Sequence, residues 1–180
     1  CREPVTGPVC SSCATIRPPP AEADFFAILG IDRLYFLKKA DLNSAYRKVS
    51  RKVHPDRYAR KSAVERRMSL QWTALVNEAR RVLRDPIARA RYLATGDTAA
   101  PEEGGPPLDP DFLEDIFDMQ MEAKGDPAGV RARATALCDA LRAELDATFT
   151  HWEAGDGDLD VVSDRLARLK YLNNILIATA

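Results

Sequence analysis

Two short segments of the 180-residue chain carry side chains that could do chemistry. The tripeptide His54-Pro55-Asp56 combines an imidazole with a carboxylate, and the segment Cys10-x-x-Cys13 holds two thiols. His54 is a poor candidate for a general base, because no Ser, Cys or second His lies near it in sequence. No other group of residues predicts a nucleophilic or hydrolytic centre, so the sequence favours a protein that is not an enzyme.

The cysteine pair has the spacing of a zinc knuckle, since two intervening residues let both thiolates face one tetrahedral metal. Cys1 is a third candidate ligand, and a fourth ligand is missing from the sequence. Two alternatives to a structural zinc are surface cysteines in a disordered leader and a redox pair. No other cofactor is expected. Cys138 is interpreted as a small buried hydrophobe.

Two amphipathic helices must position the His54 loop. Apolar residues recur at helical spacing over residues 42–53 and again over 68–83. The first helix must end near Val53, because Pro55 disfavours helical backbone at His54. Helices joined by so short a loop should pack as an antiparallel hairpin. The outer face of the first helix is basic and consists of Arg47, Lys48, Arg51 and Lys52.

Proline and glycine divide the chain into a leader and two modules. Residues 17–20 predict a stiff extended linker, and residues 96–110 contain no continuous apolar pattern. We predict a cysteine-bearing leader at 1–20, a helical module at 21–96, a linker at 97–107 and a second module at 108–180. Three apolar stripes in the second module predict the core of a three-helix bundle. They are Phe112, Ile116, Met119 and Ala123; Val130, Ala134, Leu137, Leu141, Leu145 and Trp152; and Val162, Leu166, Leu169, Leu176 and Ile177. No segment alternates like a strand, so the predicted fold class is all-α.

The formal net charge of −1 conceals a strong asymmetry. Residues 47–91 hold 14 basic and 4 acidic residues, a balance of +10, whereas residues 97–160 hold 4 and 17, a balance of −13. Such opposite surfaces favour different partners for the two modules, although two merely solvated surfaces are the alternative. No apolar run approaches the ~20 residues of a membrane span, and no signal peptide is evident.

The surroundings of His54-Pro55-Asp56 resemble a J-domain over about residues 23–92. The matching segments are Asp24-Phe25-Phe26, Leu29-Gly30, Tyr46-Arg47, Asn77-Glu78-Ala79 and Leu83-Arg84-Asp85-Pro86. Arg57 replaces the lysine that usually follows the motif, which keeps the charge. The resemblance implies that the tripeptide and the basic face dock on the ATPase domain of a DnaK-type chaperone and stimulate ATP hydrolysis. The alternative is that His54 only ends a helix and the basic face is solvated.

A J-domain followed by Arg89-Ala90-Arg91-Tyr92-Leu93 and an acidic bundle resembles the HscB family, the co-chaperones of iron-sulfur cluster assembly. The resemblance implies that the bundle binds an IscU-type scaffold and presents it to an HscA/DnaK-type ATPase. From the charge and the apolar run lengths, neither nucleic acid nor a membrane is expected as a partner. We expect a cytoplasmic location, with the mitochondrial matrix as the alternative. The alternative functions are a J-domain protein for another client and a helical nucleic-acid-binding protein, against which the acidic bundle argues.

The first bundle helix is apolar on two faces. Leu113, Phe117 and Met121 lie about 100° to 180° from Phe112 around the helix, where water is expected. Tyr171 likewise lies opposite the core stripe of the last helix. We predict an exposed scaffold-binding patch with an acidic rim, made of Leu113, Phe117, Tyr171, Asp118 and Glu122. Met121 stands where the family is often acidic, and burial of the first helix against the J-domain is the alternative.

Overall fold

A computed structural model describes residues 7–22, 24–99 and 106–180. This part of the chain is helical, and its one β-type pairing is an isolated antiparallel bridge between Val9 and Ile16, so the all-α prediction is confirmed. The helices are α1 (Phe25–Leu29), α2 (Lys39–Val53), α3 (Ala63–Arg84), α4 (Pro86–Thr95), α5 (Pro110–Glu122), α6 (Pro127–Ala154) and α7 (Val162–Ala178), with a 3-10 turn at Pro55–Tyr58.

The chain divides into two compact units, Cys1–Arg89 and Ala90–Ala180. The division falls within α4 and therefore precedes the linker predicted at 97–107, of which residues 100–105 lie outside the described part. No helix of the described residues is both long and apolar enough to cross a membrane.

The first unit is built on the pairing of α2 with α3. Tyr46 Oη donates a hydrogen bond to Asn77 Oδ1 at 2.9 Å, and Ser69 Oγ donates to the Val53 carbonyl at 2.6 Å. The facing residue numbers rise along α2 and fall along α3, so the two helices form the predicted antiparallel hairpin. The short helix α1 packs against α3 as well. The largest fully buried side chains of this unit include Phe26, Val53, Val76, Val82 and Leu83.

Local signals in the sequence begin and end the helices. The Ser62 hydroxyl accepts the backbone N–H of Glu65, and the Glu65 carboxylate accepts the backbone N–H of Ser62, which forms a capping box at the start of α3. Asp126 caps α6 by accepting the N–H of Gly129 at 2.9 Å. Gly155 ends α6 with a φ of +86°, a left-handed conformation that glycine adopts without a steric penalty.

The second unit contains α5, α6 and α7, the three helices predicted for it. Arg131 Nη1 donates to the Leu176 carbonyl at 3.1 Å, and Arg165 Nε donates to Glu144 Oε2 at 3.0 Å, so α6 and α7 are antiparallel. An ion pair of 2.9 Å between Arg133 and Glu122 joins α6 to α5. The core is formed by Ile116, Met119, Val130, Ala134, Cys138, Leu145, Phe149, Val162, Leu166, Leu169, Leu172 and Ile175.

Two residues predicted in this core are exposed. Leu137 is 42% exposed and Ile177 is 74% exposed, so their assignment was wrong. On α6 the buried side is that of Cys138, which lies about 100° around the helix from Leu137. On α7 Ile177 lies about 200° around the helix from the buried Ile175 and therefore faces away from the core. The burial of Cys138, which is 0% exposed, confirms its interpretation as a small apolar side chain, and burial raises the pKa of its thiol.

Candidate chaperone and scaffold interfaces

The His-Pro-Asp tripeptide forms an exposed loop directly after α2. His54 leaves helical geometry at φ −56° and ψ 132°, and Pro55 opens the following 3-10 turn. His54 Nδ1 accepts the backbone N–H of Asp56 at 3.3 Å and lies 3.5 Å from Asp56 Oδ2. The side chain of Asp56 is 90% exposed. Its carboxylate can therefore accept charge-assisted hydrogen bonds from a partner's arginine.

Side-chain donors hold the last turn of α2, where the helix leaves backbone carbonyls without intrahelical partners. The three bonds run from Arg57 Nη1 to the Arg51 carbonyl (3.3 Å), from Tyr58 Oη to the Lys52 carbonyl (3.0 Å) and from Ser69 Oγ to the Val53 carbonyl (2.6 Å). Burial raises the pKa of Tyr58, so its hydroxyl stays protonated and can donate. The residues just before His54 are thus fixed by the turn and by α3.

The predicted basic face of α2 is exposed. Tyr46 orients the helix, since its hydroxyl bonds Asn77 and the Arg80 guanidinium lies 4.5 Å from the centre of its ring. These contacts turn the Tyr46 side of α2 toward α3 and leave the basic side in water. All four predicted residues of the basic face are exposed, namely Arg47, Lys48, Arg51 and Lys52. Together with the tripeptide they form a surface suited to an acidic partner.

The described part of the leader folds back against the first unit. Val9 pairs with Ile16, and the Arg17 N–H donates to the Pro8 carbonyl at 2.9 Å. Ile16 is 2% exposed, and Trp72 Nε1 of α3 donates to the Arg17 carbonyl at 2.6 Å. The leader is therefore attached to α3 by a hydrogen bond, and its Ile16 side chain is buried.

The two leader thiols lie at the ends of one turn and have different surroundings. Cys10 is buried and Cys13 is exposed. The turn is closed by a bond from the Ala14 N–H to the Cys10 carbonyl at 3.0 Å, and Ala14 has a left-handed φ of +56°. Hydrogen bonds from the Thr15 hydroxyl and backbone, and then from Cys10, lower the pKa of Cys13 to about 7. A low thiol pKa favours the thiolate that a metal requires.

Two of the three predicted zinc ligands, Cys10 and Cys13, lie in the described residues. Zinc prefers four ligands in structural sites, and thiolates are suitable donors. Cys1, the third candidate, lies outside the described residues. Within the described ranges no group of three or more His, Cys, Asp or Glu is arranged to hold a metal. The zinc site therefore stays a prediction that depends on Cys1 and a further ligand.

The residues predicted to bind the scaffold are exposed on α5 and α7. Leu113 and Tyr171 are each 40% exposed, Phe117 is 59% exposed and Met121 is 49% exposed. Leu113, Phe117 and Met121 are exposed although α5 also contributes Ile116 and Met119 to the core. We name the surface of Leu113, Phe117 and Tyr171 the apolar patch.

The two residues of the acidic rim predicted beside the apolar patch, Asp118 and Glu122, have different surroundings. Asp118 is exposed, whereas Glu122 is held in the ion pair with Arg133. Asp118 thus has no ion pair among the described residues, whereas the half-exposed Glu122 carboxylate already shares one oxygen with Arg133.

One connection between α5 and α7 was missed by the sequence analysis. The rings of Phe112 and Tyr171 meet edge to face with centroids 6.5 Å apart, and the Arg168 guanidinium lies 4.7 Å from the centre of the Phe112 ring. Phe112 is half-buried and is not a central core residue. The signal available in the sequence was the position of Arg168, a cationic residue three positions before the exposed Tyr171.

The first unit presents an exposed His-Pro-Asp loop between two antiparallel helices, the first of which is basic. This arrangement defines the class of J-domain proteins. The DnaJ domain family matches residues 24–92. The co-chaperone HscB homologue of Bordetella pertussis is 41% identical over 130 residues, which are 70% of this chain and 72% of that protein. The chain belongs to the HscB family of J-domain proteins, which are co-chaperones and not enzymes.

More distant relatives cover a larger share of the chain. The iron-sulfur cluster co-chaperone protein HscB of Mus musculus is 28% identical over 176 residues, or 92% of this chain and 71% of that protein. The crystal structure of human HscB has a TM-score of 0.75 at 24% identity and covers 99% of this chain and 90% of its own. HscB from Vibrio cholerae has a TM-score of 0.66 at 22% identity, covering 87% and 95%. These structures support the fold.

Proposed function

We propose that this co-chaperone acts in iron-sulfur cluster assembly. Its J-domain stimulates an HscA/DnaK-type ATPase, and its three-helix bundle delivers an IscU-type scaffold to that chaperone. The observation that carries the proposal is the presence of two exposed surfaces in one chain, the His54 loop with its basic face and the apolar patch. The mouse relative is named an iron-sulfur cluster co-chaperone, which supports the same process.

The chaperone interface would combine steering with one specific contact. The basic side chains of α2 attract an acidic surface on the ATPase and raise the rate of encounter. The exposed carboxylate of Asp56 then pairs with a cation of the ATPase, while Pro55 limits the conformations that the loop can adopt. His54 supports the loop by accepting the Asp56 N–H. In this arrangement the chain supplies a contact and the partner does the hydrolysis.

The scaffold interface would rest on apolar anchors. Aromatic side chains that are exposed in the free protein lose much apolar surface on binding and often dominate affinity. Phe117 and Tyr171 are the aromatic members of the apolar patch, and Asp118 supplies the exposed carboxylate beside it.

Reconstitution with purified partners tests this function. The intact chain is mixed with a DnaK-type chaperone and an IscU-type scaffold, and ATPase rate and co-purification are measured. We expect stimulation of the ATPase and recovery of a complex with the scaffold. Stimulation without scaffold binding would show a J-domain protein for another client. Failure of both, with a salt-sensitive shift of DNA or RNA, would support the nucleic-acid alternative.

The leader zinc and the cellular location belong to the same proposal. Cys10 and Cys13 would provide two thiolates of a structural zinc site, with Cys1 as the third ligand and an upstream residue as the fourth. The zinc would brace a leader that already contacts α3 through Arg17 and Trp72. We propose a cytoplasmic location, with the mitochondrial matrix as the alternative.

A further inference from the structure

We infer that Arg168 and Phe112 are positioning residues for Tyr171, holding its ring in one outward orientation ready for the scaffold. The inference rests on the proposed function, because Tyr171 is one of the three predicted anchors of the apolar patch. Neither Arg168 nor Phe112 needs to touch the scaffold. They act by restricting the rotamers that Tyr171 can adopt before binding.

Three successive contacts connect the Asp164 carboxylate to the Tyr171 ring. Asp164 Oδ2 accepts a hydrogen bond of 2.9 Å from Arg168 Nε, one helical turn away on α7. The guanidinium so held lies 4.7 Å from the centre of the Phe112 ring on α5. The Phe112 ring then meets the Tyr171 ring at 89° with a centroid separation of 6.5 Å.

This arrangement suits a half-exposed aromatic anchor. Tyr171 is 40% exposed, whereas its neighbours Leu169 and Leu172 are buried in the core. An exposed ring loses rotamer freedom on binding, and that loss weakens affinity unless the ring is already ordered. The Phe112 ring supplies the ordering contact, and the Arg168 cation keeps the Phe112 ring from turning away.

Proton NMR of the Tyr171 ring tests the positioning without any partner. In the wild-type chain we expect Tyr171 ring protons displaced from the shifts of an exposed tyrosine, because the Phe112 ring current acts on them. Phe112→Leu and Arg168→Met should both move these signals toward exposed values. Lys170→Met removes an exposed cation beside Tyr171 and should not. Exposed-type shifts in the wild type, or no response to either variant, would overturn the inference.

A double-mutant cycle in scaffold binding then tests whether the effect passes through Tyr171. Arg168→Met should weaken scaffold binding about 2- to 10-fold, the range that one cation-π or aromatic contact supports. In a Tyr171→Ala background the same substitution should have almost no effect. An equal loss in both backgrounds would mean that Arg168 contacts the scaffold itself. An equal loss from Lys170→Met would indicate general charge attraction, which also overturns the inference.

The two measurements separate the inference from the function on which it rests. If the wild-type chain binds no scaffold, the proposed function fails, and the NMR comparison alone decides whether Arg168 and Phe112 order Tyr171. If the scaffold binds and the Tyr171 ring proton shifts are the same in both variants as in the wild type, the proposed function holds. The inference that Arg168 and Phe112 position Tyr171 is then wrong. Thermal unfolding of each variant shows whether Phe112→Leu disturbs the fold. Arg168→Met, at a side chain that is 27% exposed, is the milder substitution.

Discussion

Ser69 of α3 donates a hydrogen bond of 2.6 Å to the backbone carbonyl of Val53, the last residue of α2. Both residues are buried and are 0% exposed. The bond therefore ties the residue before His54 to the opposite helix of the hairpin, and water cannot replace it. The His-Pro-Asp loop is exposed, but its attachment is part of the core.

Ser69→Ala should lower the free energy of unfolding by about 1 to 3 kcal/mol, because it leaves the buried Val53 carbonyl without its donor. Urea unfolding measures the loss. The matched control is Thr73→Val, since the Thr73 hydroxyl bonds the Ser69 carbonyl within α3 and joins no second helix. A Ser69→Ala variant as stable as the wild type would show that the bond contributes little.

His54→Gln should leave the fold intact and abolish stimulation of the chaperone's ATPase. Because His54 is exposed, circular dichroism and the melting temperature should stay near the wild-type values. His151→Gln is the control, because this second exposed histidine lies on α6 in the bundle. Full stimulation by His54→Gln would contradict the assignment of this loop to the chaperone interface.

Substitution of the apolar patch should separate binding from stability. Leu113→Ala, Phe117→Ala and Tyr171→Ala should each weaken scaffold binding by on the order of 2 kcal/mol, about thirtyfold, with little change in unfolding. Core truncation at Leu145 should instead cost roughly 2 to 5 kcal/mol of folding free energy. Calorimetric titration and thermal unfolding measure the two effects.

Ile177→Ala is the control for exposed apolar surface outside the patch, since Ile177 is 74% exposed. Ile177→Ala should alter neither the scaffold affinity nor the free energy of unfolding. Large stability losses with unchanged scaffold affinity for the three patch variants would show that their side chains serve packing.

Alkylation of Cys13 should follow a pH profile centred near 7 in metal-free protein. Hydrogen bonds from Thr15 lower the pKa of Cys13 to about 7, so the reactive thiolate is already half-formed at neutral pH and declines below it. Cys138 should react slowly throughout, because burial raises the pKa of its thiol and blocks access. Iodoacetamide labelling, resolved by peptide mass spectrometry, gives both rates.

Thr15→Val should move the Cys13 profile to higher pH, because the leading hydrogen bond is removed. If zinc binds the leader as proposed, adding zinc should protect Cys13 from alkylation. A Cys13 profile centred well above 8 in the wild type would contradict the hydrogen-bonded thiolate.

Trp72→Phe should loosen the leader while keeping the aromatic ring in place. The substitution removes the indole N–H that donates to the Arg17 carbonyl at 2.6 Å, a bond worth about 1 kcal/mol. Hydrogen exchange should accelerate at the Cys10 and Arg17 amides, which donate to carbonyls within the leader. Trp152→Phe on α6 is the matched control, and unchanged protection at these amides would show that the leader is held otherwise.

Local sequence signals determined the helices and the His54 loop. Pro55 cannot continue α2, and Gly155 adopts the left-handed backbone that ends α6, whatever the rest of the chain does. The apolar periodicity of residues 42–53 and 68–83 also sufficed for the hairpin, because each helix has one wide apolar face and the loop between them is short. The exposure of Tyr171 followed from its place opposite a stripe of aliphatic residues.

Only the tertiary structure decided which residue at the edge of a stripe is buried and which distant groups meet. Leu137 and Cys138 both border the α6 stripe, and the positions of the neighbouring helices bury Cys138 and expose Leu137. The contacts of Trp72 with Arg17 and of Phe112 with Tyr171 join residues more than fifty positions apart. Helical periodicity gives the direction of a side chain about its own axis, whereas such contacts depend on where a second element lies in space.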